Sequence, residues 1–181
     1  MAEARVQRDE NKPVEGFDKL YDAYTLMVAD GFGEPNIEER CATMDEDELL
    51  LIASSSSSSV LLENVFKSTK NLEVLLELSK NKYTSSHVLD TILTIRNTDL
   101  TIGLATNANL SQDALTALER HSLAHIRRLV SENPSIPIEA LERLLEDPET
   151  IVRLSALRVL KARKDSPFFG MPSTWMKKLL G

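Results

Sequence analysis

Basic side chains concentrate towards the end of this sequence, where they could bind an acidic partner through charge. Residues 151–181 contain seven Lys/Arg and a single Asp/Glu. Stacked helices would place several of these cations on one surface. The predicted partner-binding residues are Arg127, Arg128, Arg153, Arg158, Lys161, Arg163, Lys164 and Trp175. The alternative is that Arg127 and Arg153 bond within the fold while nearby glutamates neutralise the others.

No combination of residues predicts catalysis or metal binding. His121 and His125 are four apart, which would suit a metal on one helix, but a helix break near Ser122 is expected to separate them. The single cysteine, Cys41, excludes a cysteine-based metal site or a disulfide within one chain. No Ser/His/Asp or Cys/His set has plausible roles either. The sequence therefore predicts a protein that is not an enzyme and that needs no cofactor.

Composition favours a helical, cytoplasmic protein. Glycine is scarce, with six residues, and aromatic residues make up 5% of the 181 positions. The formal net charge is −7, yet residues 1–80 contain 17 Asp/Glu and 8 Lys/Arg, whereas residues 81–181 contain 11 and 13. The start is charged rather than apolar, and no apolar run is long enough to cross a bilayer. We therefore expect a cytoplasmic protein that is acidic at its start and basic at its end.

The elements that position these charges follow from an internal period of 26 residues. Apolar residues recur at this spacing from about Asp45 to Leu160. Four such columns share one register, and they are Leu62, Val88, Ala114, Ala140; Phe66, Ile92, Leu118, Leu144; Val74, Leu100, Ile126, Val152; and Ile52, Leu78, Leu104, Val130, Ala156. Within each period the apolar spacing is helical. The repeat therefore predicts stacked pairs of helices.

The predicted boundaries follow from this register. The first helices are predicted at 59–68, 85–95, 111–121 and 137–146, and the second helices at 71–80, 97–106, 123–132 and 149–164. Residues 45–53 would be the second helix of a degenerate leading unit. The fold class is thus all-α, a right-handed α-solenoid of about four 26-residue helix pairs with an N-terminal capping helix.

Polar residues keep the same spacing. Asn81, Asn107 and Asn133 are 26 apart, and they could bind a peptide backbone or could close the turn between units. Their position between helices favours the turn. The six serines at 54–59 could be a phosphorylation cluster or a turn with a helix cap, and their position again favours the structural role.

The ends fall outside the repeat. We expect a disordered arm at 1–15, N-terminal capping helices at 16–43, the repeat domain at 44–164 and a C-terminal tail at 165–181. The tail contains Phe168, Phe169 and Trp175. It is expected to fold back over the last helix pair, and the alternative is a linear binding motif.

The segment at 133–153 resembles the leucine-rich repeat variant and HEAT-like families of helical repeats. The resemblance rests on the Asn-Pro turn, the Leu-x-x-Leu core, the Asp-Pro between helices and the Val-Arg that follows it. The similarity is strong over 107–160 and loose over 45–106. It implies an α-solenoid with a binding role. The iron–sulfur cluster of one branch is not implied, because the cysteines that would hold it are absent.

Two functions follow as expectations. The first is an adaptor or scaffold that binds an acidic protein surface or peptide on its second helices, with no membrane contact. The second is a nucleic-acid-binding protein similar to the HEAT-like alkylpurine DNA glycosylases. That function would need aromatic residues in a basic groove, for which the repeats offer Phe66 and Tyr83. The acidic overall charge favours the adaptor.

Overall fold

The structure is a computed structural model that describes residues 37–163, and in this range the chain forms ten α-helices and no strand. The helices are α1 (Ile37–Thr43), α2 (Glu46–Ser55), α3 (Ser59–Ser68), α4 (Leu72–Lys80), α5 (Ser86–Leu93), α6 (Thr98–Thr106), α7 (Gln112–Leu118), α8 (Ala124–Glu132), α9 (Ile138–Leu144) and α10 (Thr150–Ala162). The predicted all-α class is confirmed. Within these residues no helix has the length and apolar character that crossing a membrane requires.

The second helix of each predicted pair is an even-numbered helix, and its boundaries agree closely with the prediction. The first helices α5, α7 and α9 end two or three residues earlier than predicted. The chain there continues through tighter bonds between residues three apart, such as Ile95 N–H to the Ile92 carbonyl at 3.0 Å and His121 N–H to the Leu118 carbonyl at 3.0 Å. A final 3₁₀-type turn of this kind satisfies carbonyl groups at a helix end, but it takes those residues out of the α-helix.

Short polar side chains start most of these helices. Asp45 and Glu48 form a reciprocal cap on α2, in which each side chain accepts a hydrogen bond from the backbone N–H of the other, at 2.9 and 3.0 Å. Ser58, Asn71 and Ser111 each accept a backbone N–H at the start of α3, α4 and α7. These caps fix where each helix begins, so they also fix the register of the repeat.

The core lies between two layers of helices. Consecutive even-numbered helices pack on each other from α2 to α10, and the odd-numbered helices pack against them. Nearly all residues of the four predicted apolar columns are buried; Phe66 is the exception, being partly buried against the core. The period therefore predicted the core correctly, and adjacent pairs stack as the repeat requires. The right-handed twist remains a prediction.

Asparagine side chains join successive units from α2 to α8. The Asn107 side-chain amide donates to the carbonyls of Ser79 and Asn81, at 2.9 and 3.0 Å, and its oxygen accepts the N–H of Asn109 at 2.9 Å. Asn133 makes the same three bonds one period later, and Asn81 makes three similar bonds one period earlier, with the carbonyls of Ala53 and Ser56 as its acceptors. All three side chains are committed to the backbone, which confirms the structural role predicted for these asparagines.

The serine run at 54–59 is an ordered connection. Ser54 and Ser55 belong to the last turn of α2, and both hydroxyls donate to the Leu51 carbonyl. Ser56 is buried and its hydroxyl accepts the N–H of Ser58, which in turn caps α3. The run is the turn and cap that its position in the period predicted.

The parts of the prediction that concern residues 1–36 and 164–181 lie outside the described residues. They include the arm, most of the N-terminal capping segment, Lys164 and the whole tail with Trp175.

Replacing Asn107 with alanine is expected to lower the free energy of unfolding by about 2–3 kcal/mol, because the carbonyls of buried Ser79 and half-buried Asn81 and one N–H each lose a partner. The matched control is Asn97→Ala. Asn97 only caps α6 through two N–H groups, so its loss should cost about 1 kcal/mol. Urea unfolding measures both, and equal effects would contradict a role for Asn107 in joining units.

Core and surface leucines should differ in the same assay. Leu144 is buried, whereas Leu154 is 44% exposed on the neighbouring α10. Leu144→Ala is expected to lower the free energy of unfolding by about 2–5 kcal/mol through a cavity. Leu154→Ala should cost about 1 kcal/mol or less, because its side chain is largely in water already. A large decrease in the free energy of unfolding of Leu154→Ala would contradict the exposed position of Leu154 on α10.

Candidate interaction surface

The outward side of the even-numbered helices is one continuous surface, which we call the even-helix face. Its residues repeat every 26 positions in three rows. The rows are Asp47, Glu73, Asp99, His125, Ile151; Leu50, Leu76, Ile102, Arg128, Leu154; and Ser54, Lys80, Thr106, Glu132, Arg158. The middle row is mostly apolar and half-buried, and most of the outer residues are exposed. The face thus offers an apolar centre with polar margins.

Charge divides the even-helix face into two halves. The first row is acidic on α2, α4 and α6, where Asp47, Glu73 and Asp99 are exposed. On α8 and α10 the same row holds His125 and Ile151, and arginines enter the other two rows. The even-helix face therefore has a row of carboxylates on α2, α4 and α6 and arginines on α8 and α10.

Clefts lie between neighbouring helices of this face. The one between α4 and α6 has a volume of about 380 Å³, and its floor includes Gly103. A Cβ atom there would lie 2.0 Å from Ser79 Oγ, so glycine permits the close approach of the two helices. The second cleft, of about 310 Å³, lies between α8 and α10 and is lined by Arg128, Glu132, Ile151, Leu154, Ser155 and Arg158.

Glu132 organises the cleft between α8 and α10. Its Oε1 accepts hydrogen bonds from Arg128 at 2.8 Å, Arg158 at 2.6 Å and Ser155 at 2.9 Å. Burial works to raise the pKa of Glu132, but the Ser155 hydroxyl and the two guanidinium groups outweigh it and hold that pKa below its ordinary value. The cluster contains two cations and one anion, so it keeps a net positive charge beside exposed apolar side chains.

Arg127 is buried, whereas a residue that contacts a partner is expected on the surface. Only 9% of the residue is exposed. Its Nε and Nη2 bond the two carboxylate oxygens of Asp147 at 2.6 and 2.9 Å, and its Nη1 donates to the carbonyls of His121 and Ser122. Arg127 therefore joins α8 to the loop before α10. We exclude it from the interaction surface proposed below.

Arg153 and Arg163 also bond the backbone. Arg153 Nη1 donates to the carbonyls of the residues six and five positions before it, at 2.8 and 2.9 Å, which repeats the pattern of Arg127 one period later. Arg163 donates to the carbonyls of Ile136 and Pro134 at 2.7 and 3.2 Å. Lys161 lies exposed in the last turn of α10. Among the predicted residues, the structure places Arg128 and Arg158 together in the cleft between α8 and α10.

Ile151 and Leu154 are surface residues that the sequence analysis did not select. They are 58% and 44% exposed, and they lie one helical turn apart beside Arg158. Extending the 26-residue register from the core to the surface rows would have found them. Ile151 follows three carboxylates and a histidine in its row, and that change from charged to apolar is visible in the sequence.

Of the residues considered for metal or base recognition, His125 lies on the even-helix face, whereas His121, Phe66 and Tyr83 lie outside its rows. His121 is in the loop before α8 and His125 is within α8, so the expected helix break is present. Phe66 lies on α3 and Tyr83 in the loop after α4. The even-helix face, over the part of the chain that the structure describes, has no Phe, Tyr or Trp side chain, and His125 is its one aromatic ring.

Removing the carboxylate beside Arg127 should change both stability and its pH dependence. Burial by itself raises the pKa of Asp147, but the bonds from Arg127 prevail and hold that pKa below its ordinary value of 3.8. The stabilisation is therefore complete above about pH 4 and is lost as the pH falls through the lower pKa of the folded state. Asp147→Asn should cost about 3 kcal/mol at pH 7, because a buried cation loses its partner.

Urea unfolding at pH 7 and pH 3 tests this expectation. The difference in stability between the wild type and Asp147→Asn should shrink at pH 3, because the unfolded wild-type chain takes up a proton at Asp147 more readily than the folded chain does. Glu146→Gln changes an exposed neighbouring carboxylate and should stay within about 0.5 kcal/mol of the wild type. A constant difference at the two pH values would show that the charge of Asp147 contributes nothing.

Comparison with known proteins agrees with this geometry. No curated protein and no solved structure matches the chain significantly. A family model described as leucine rich repeat variant matches residues 124–149, a segment that runs from the start of α8 to the residue before α10 and spans one period. It includes the Asn-Pro turn and the Asp-Pro loop on which the resemblance was based. The match confirms that this chain contains a helical repeat of the leucine rich repeat variant type at residues 124–149.

Proposed function

We propose that this chain is a non-enzymatic adaptor that binds an acidic segment of another protein on the α8–α10 half of the even-helix face. Stacked helical repeats form extended surfaces that can mediate protein interaction. The observation that carries the proposal is the cleft in which exposed Ile151 and Leu154 lie beside Arg128 and Arg158. An apolar centre next to arginine is the composition of a protein-binding hot spot.

The proposed partner segment has one or two large apolar side chains flanked by carboxylates. Burying Ile151 and Leu154 under such side chains would remove apolar surface from water, at about 25 cal/mol per Å². A partner carboxylate would meet the net positive charge of the two arginines around Glu132. Both features come from neighbouring helices of one cleft, so a short segment suffices to use them together.

The acidic half of the same face contributes specificity. Asp47, Glu73 and Asp99 would repel an acidic chain that lay across α2 to α6. An acidic partner is thereby directed to α8 and α10. The same carboxylates oppose nucleic-acid phosphates, so we do not carry the nucleic-acid alternative forward.

The proposed setting is the cytoplasm. Cys41 is buried, and this burial raises the pKa of its thiol despite the nearby Arg40. A protonated, buried thiol fits a reducing compartment in which structural disulfides are rare.

The proposal is tested with peptides selected against the immobilised wild-type chain from a random display library. The enriched peptides should contain Leu, Ile or Phe next to Asp or Glu. The double variant Ile151→Asp/Leu154→Asp should bind them at least about tenfold more weakly, because both apolar contacts are lost and carboxylates repel the peptide. Affinity is measured by fluorescence anisotropy at two salt concentrations.

Val60→Asp is the matched control. Val60 is 57% exposed, almost the same as Ile151, but it lies on α3 outside the even-helix face. This variant should bind the selected peptides like the wild type. Enrichment of basic peptides, or equal losses in the Val60 and Ile151/Leu154 variants, would overturn the proposal.

A further inference from the structure

The interface between α6 and the loop before α8 differs from the equivalent interface one period later, between α8 and the loop before α10. One period before Arg127 and Asp147 stand Thr101 and His121. In the later interface the guanidinium–carboxylate pair fills the space between units, with Nε and Oδ2 2.6 Å apart. In the earlier one the shorter Thr101 side chain bonds its own helix, at the Asn97 carbonyl. A cleft of about 290 Å³ lies there, lined by Leu93, Arg96, Thr98, Thr101, Leu118 and His121.

His121 presents a hydrogen-bond donor where the later interface has an acceptor. Its Nδ1 accepts the N–H of Leu123 at 3.1 Å, just as the Asp147 carboxylate accepts the N–H of Glu149 at 2.9 Å. A neutral imidazole whose Nδ1 accepts carries its proton on Nε2. The second nitrogen of His121 therefore donates, whereas the second oxygen of Asp147 accepts.

Arg96 supplies a cation to the same cleft. It has a φ of +57°, and it is the one non-glycine residue with positive φ within the described range 37–163. This left-handed conformation ends the last turn after α5, where Arg96 N–H donates to the Leu93 carbonyl at 3.3 Å, and it places Arg96 at the edge of the cleft. Most other arginines of this range bond a carboxylate or carbonyl group through the guanidinium, but among the described residues the Arg96 side chain has neither a hydrogen bond nor an ion pair.

We propose that this cleft binds a carboxylate on a short aliphatic stem. The donors are the Arg96 guanidinium, the Nε2–H of His121 and the Thr98 hydroxyl, and the six lining residues include no competing carboxylate. Leu93 and Leu118 provide the apolar surface for the stem. A carboxylate held by a guanidinium and a second N–H donor makes charge-assisted hydrogen bonds. The site shares no residue with the even-helix face, so it stands independently of the adaptor function.

The ligand could be a small free acid or a glutamate side chain, and two probes separate these sources. ¹H–¹⁵N NMR spectra of the full chain are recorded with butyrate and with the capped tripeptide acetyl-Gly-Glu-Gly-amide, at constant ionic strength set with sodium chloride. We expect saturable shifts at the amides of 96–101 and 118–123 with at least one probe, with a dissociation constant on the order of 1 mM. Binding of butyrate alone identifies a small acid, and binding of the tripeptide supports a peptide carboxylate.

Arg96→Ala should weaken binding about tenfold, since one charge-assisted hydrogen bond is lost. Arg120→Ala is the matched control. Arg120 is an exposed arginine of the adjacent loop that does not line the cleft. Its removal should therefore leave the affinity within about twofold of the wild-type value, because only one screened surface charge is lost.

The double variant Thr101→Arg/His121→Asp provides a second test. It places in the cleft the pair that joins the following units, so it should fold and lose binding of both probes. The proposal is overturned if neither probe gives saturable shifts at these amides. It is equally overturned if the Arg96 and Arg120 variants lose affinity alike, or if the filled double variant folds and binds like the wild type.

Discussion

The side-chain amides of Asn81, Asn107 and Asn133 hold successive units together from α2 to α8. Asn81, Asn107 and Asn133 each donate to two backbone carbonyls about one period earlier and accept one N–H two residues ahead. A helical repeat must satisfy the carbonyl groups at the ends of its stacked helices, and water is excluded from most of this junction. One amide that bonds three backbone groups meets this need and also sets the register. The burial of the apolar columns depends on that register.

Arginine fulfils a related task in the second half of the described range. Arg127 and Arg153 bond the carbonyls of the loop that precedes their own helix, and Arg163 reaches carbonyls of the preceding unit. A guanidinium group has five donors in a fixed plane, so it can serve a carboxylate and two carbonyls together. Arg127, Arg153 and Arg163 thus bond the backbone, whereas Arg128 and Arg158 line the cleft between α8 and α10. The number of basic residues in the sequence therefore overestimates the positive charge of the surface.

The two proposed sites lie where the repeat is irregular. In the middle row of the even-helix face, Arg128 interrupts a series of leucine and isoleucine residues, and Ile151 ends the acidic row. At the other interface Thr101 and His121 replace an arginine–aspartate pair and leave a cleft. In a regular repeat every unit offers the same contacts. A site that binds a ligand at one place must therefore contain residues that differ from those at the equivalent positions of the other units.

The sequence by itself determined the class, the period and the core. Apolar spacing at 3.6 residues defines a helix face, and a 26-residue recurrence of that face requires stacking; both are local or periodic properties. The roles of Asn107 and of the serine turn also followed from their position between helices. Only the tertiary structure decided which charges reach the surface. Arg127 and Arg158 are both arginines on second helices, yet the first is buried against Asp147, 20 residues away, while the second lies over a cleft. These pairings depend on the distances between side chains of different units. The 26-residue period shows which positions are equivalent, but it does not show which side chains come into contact.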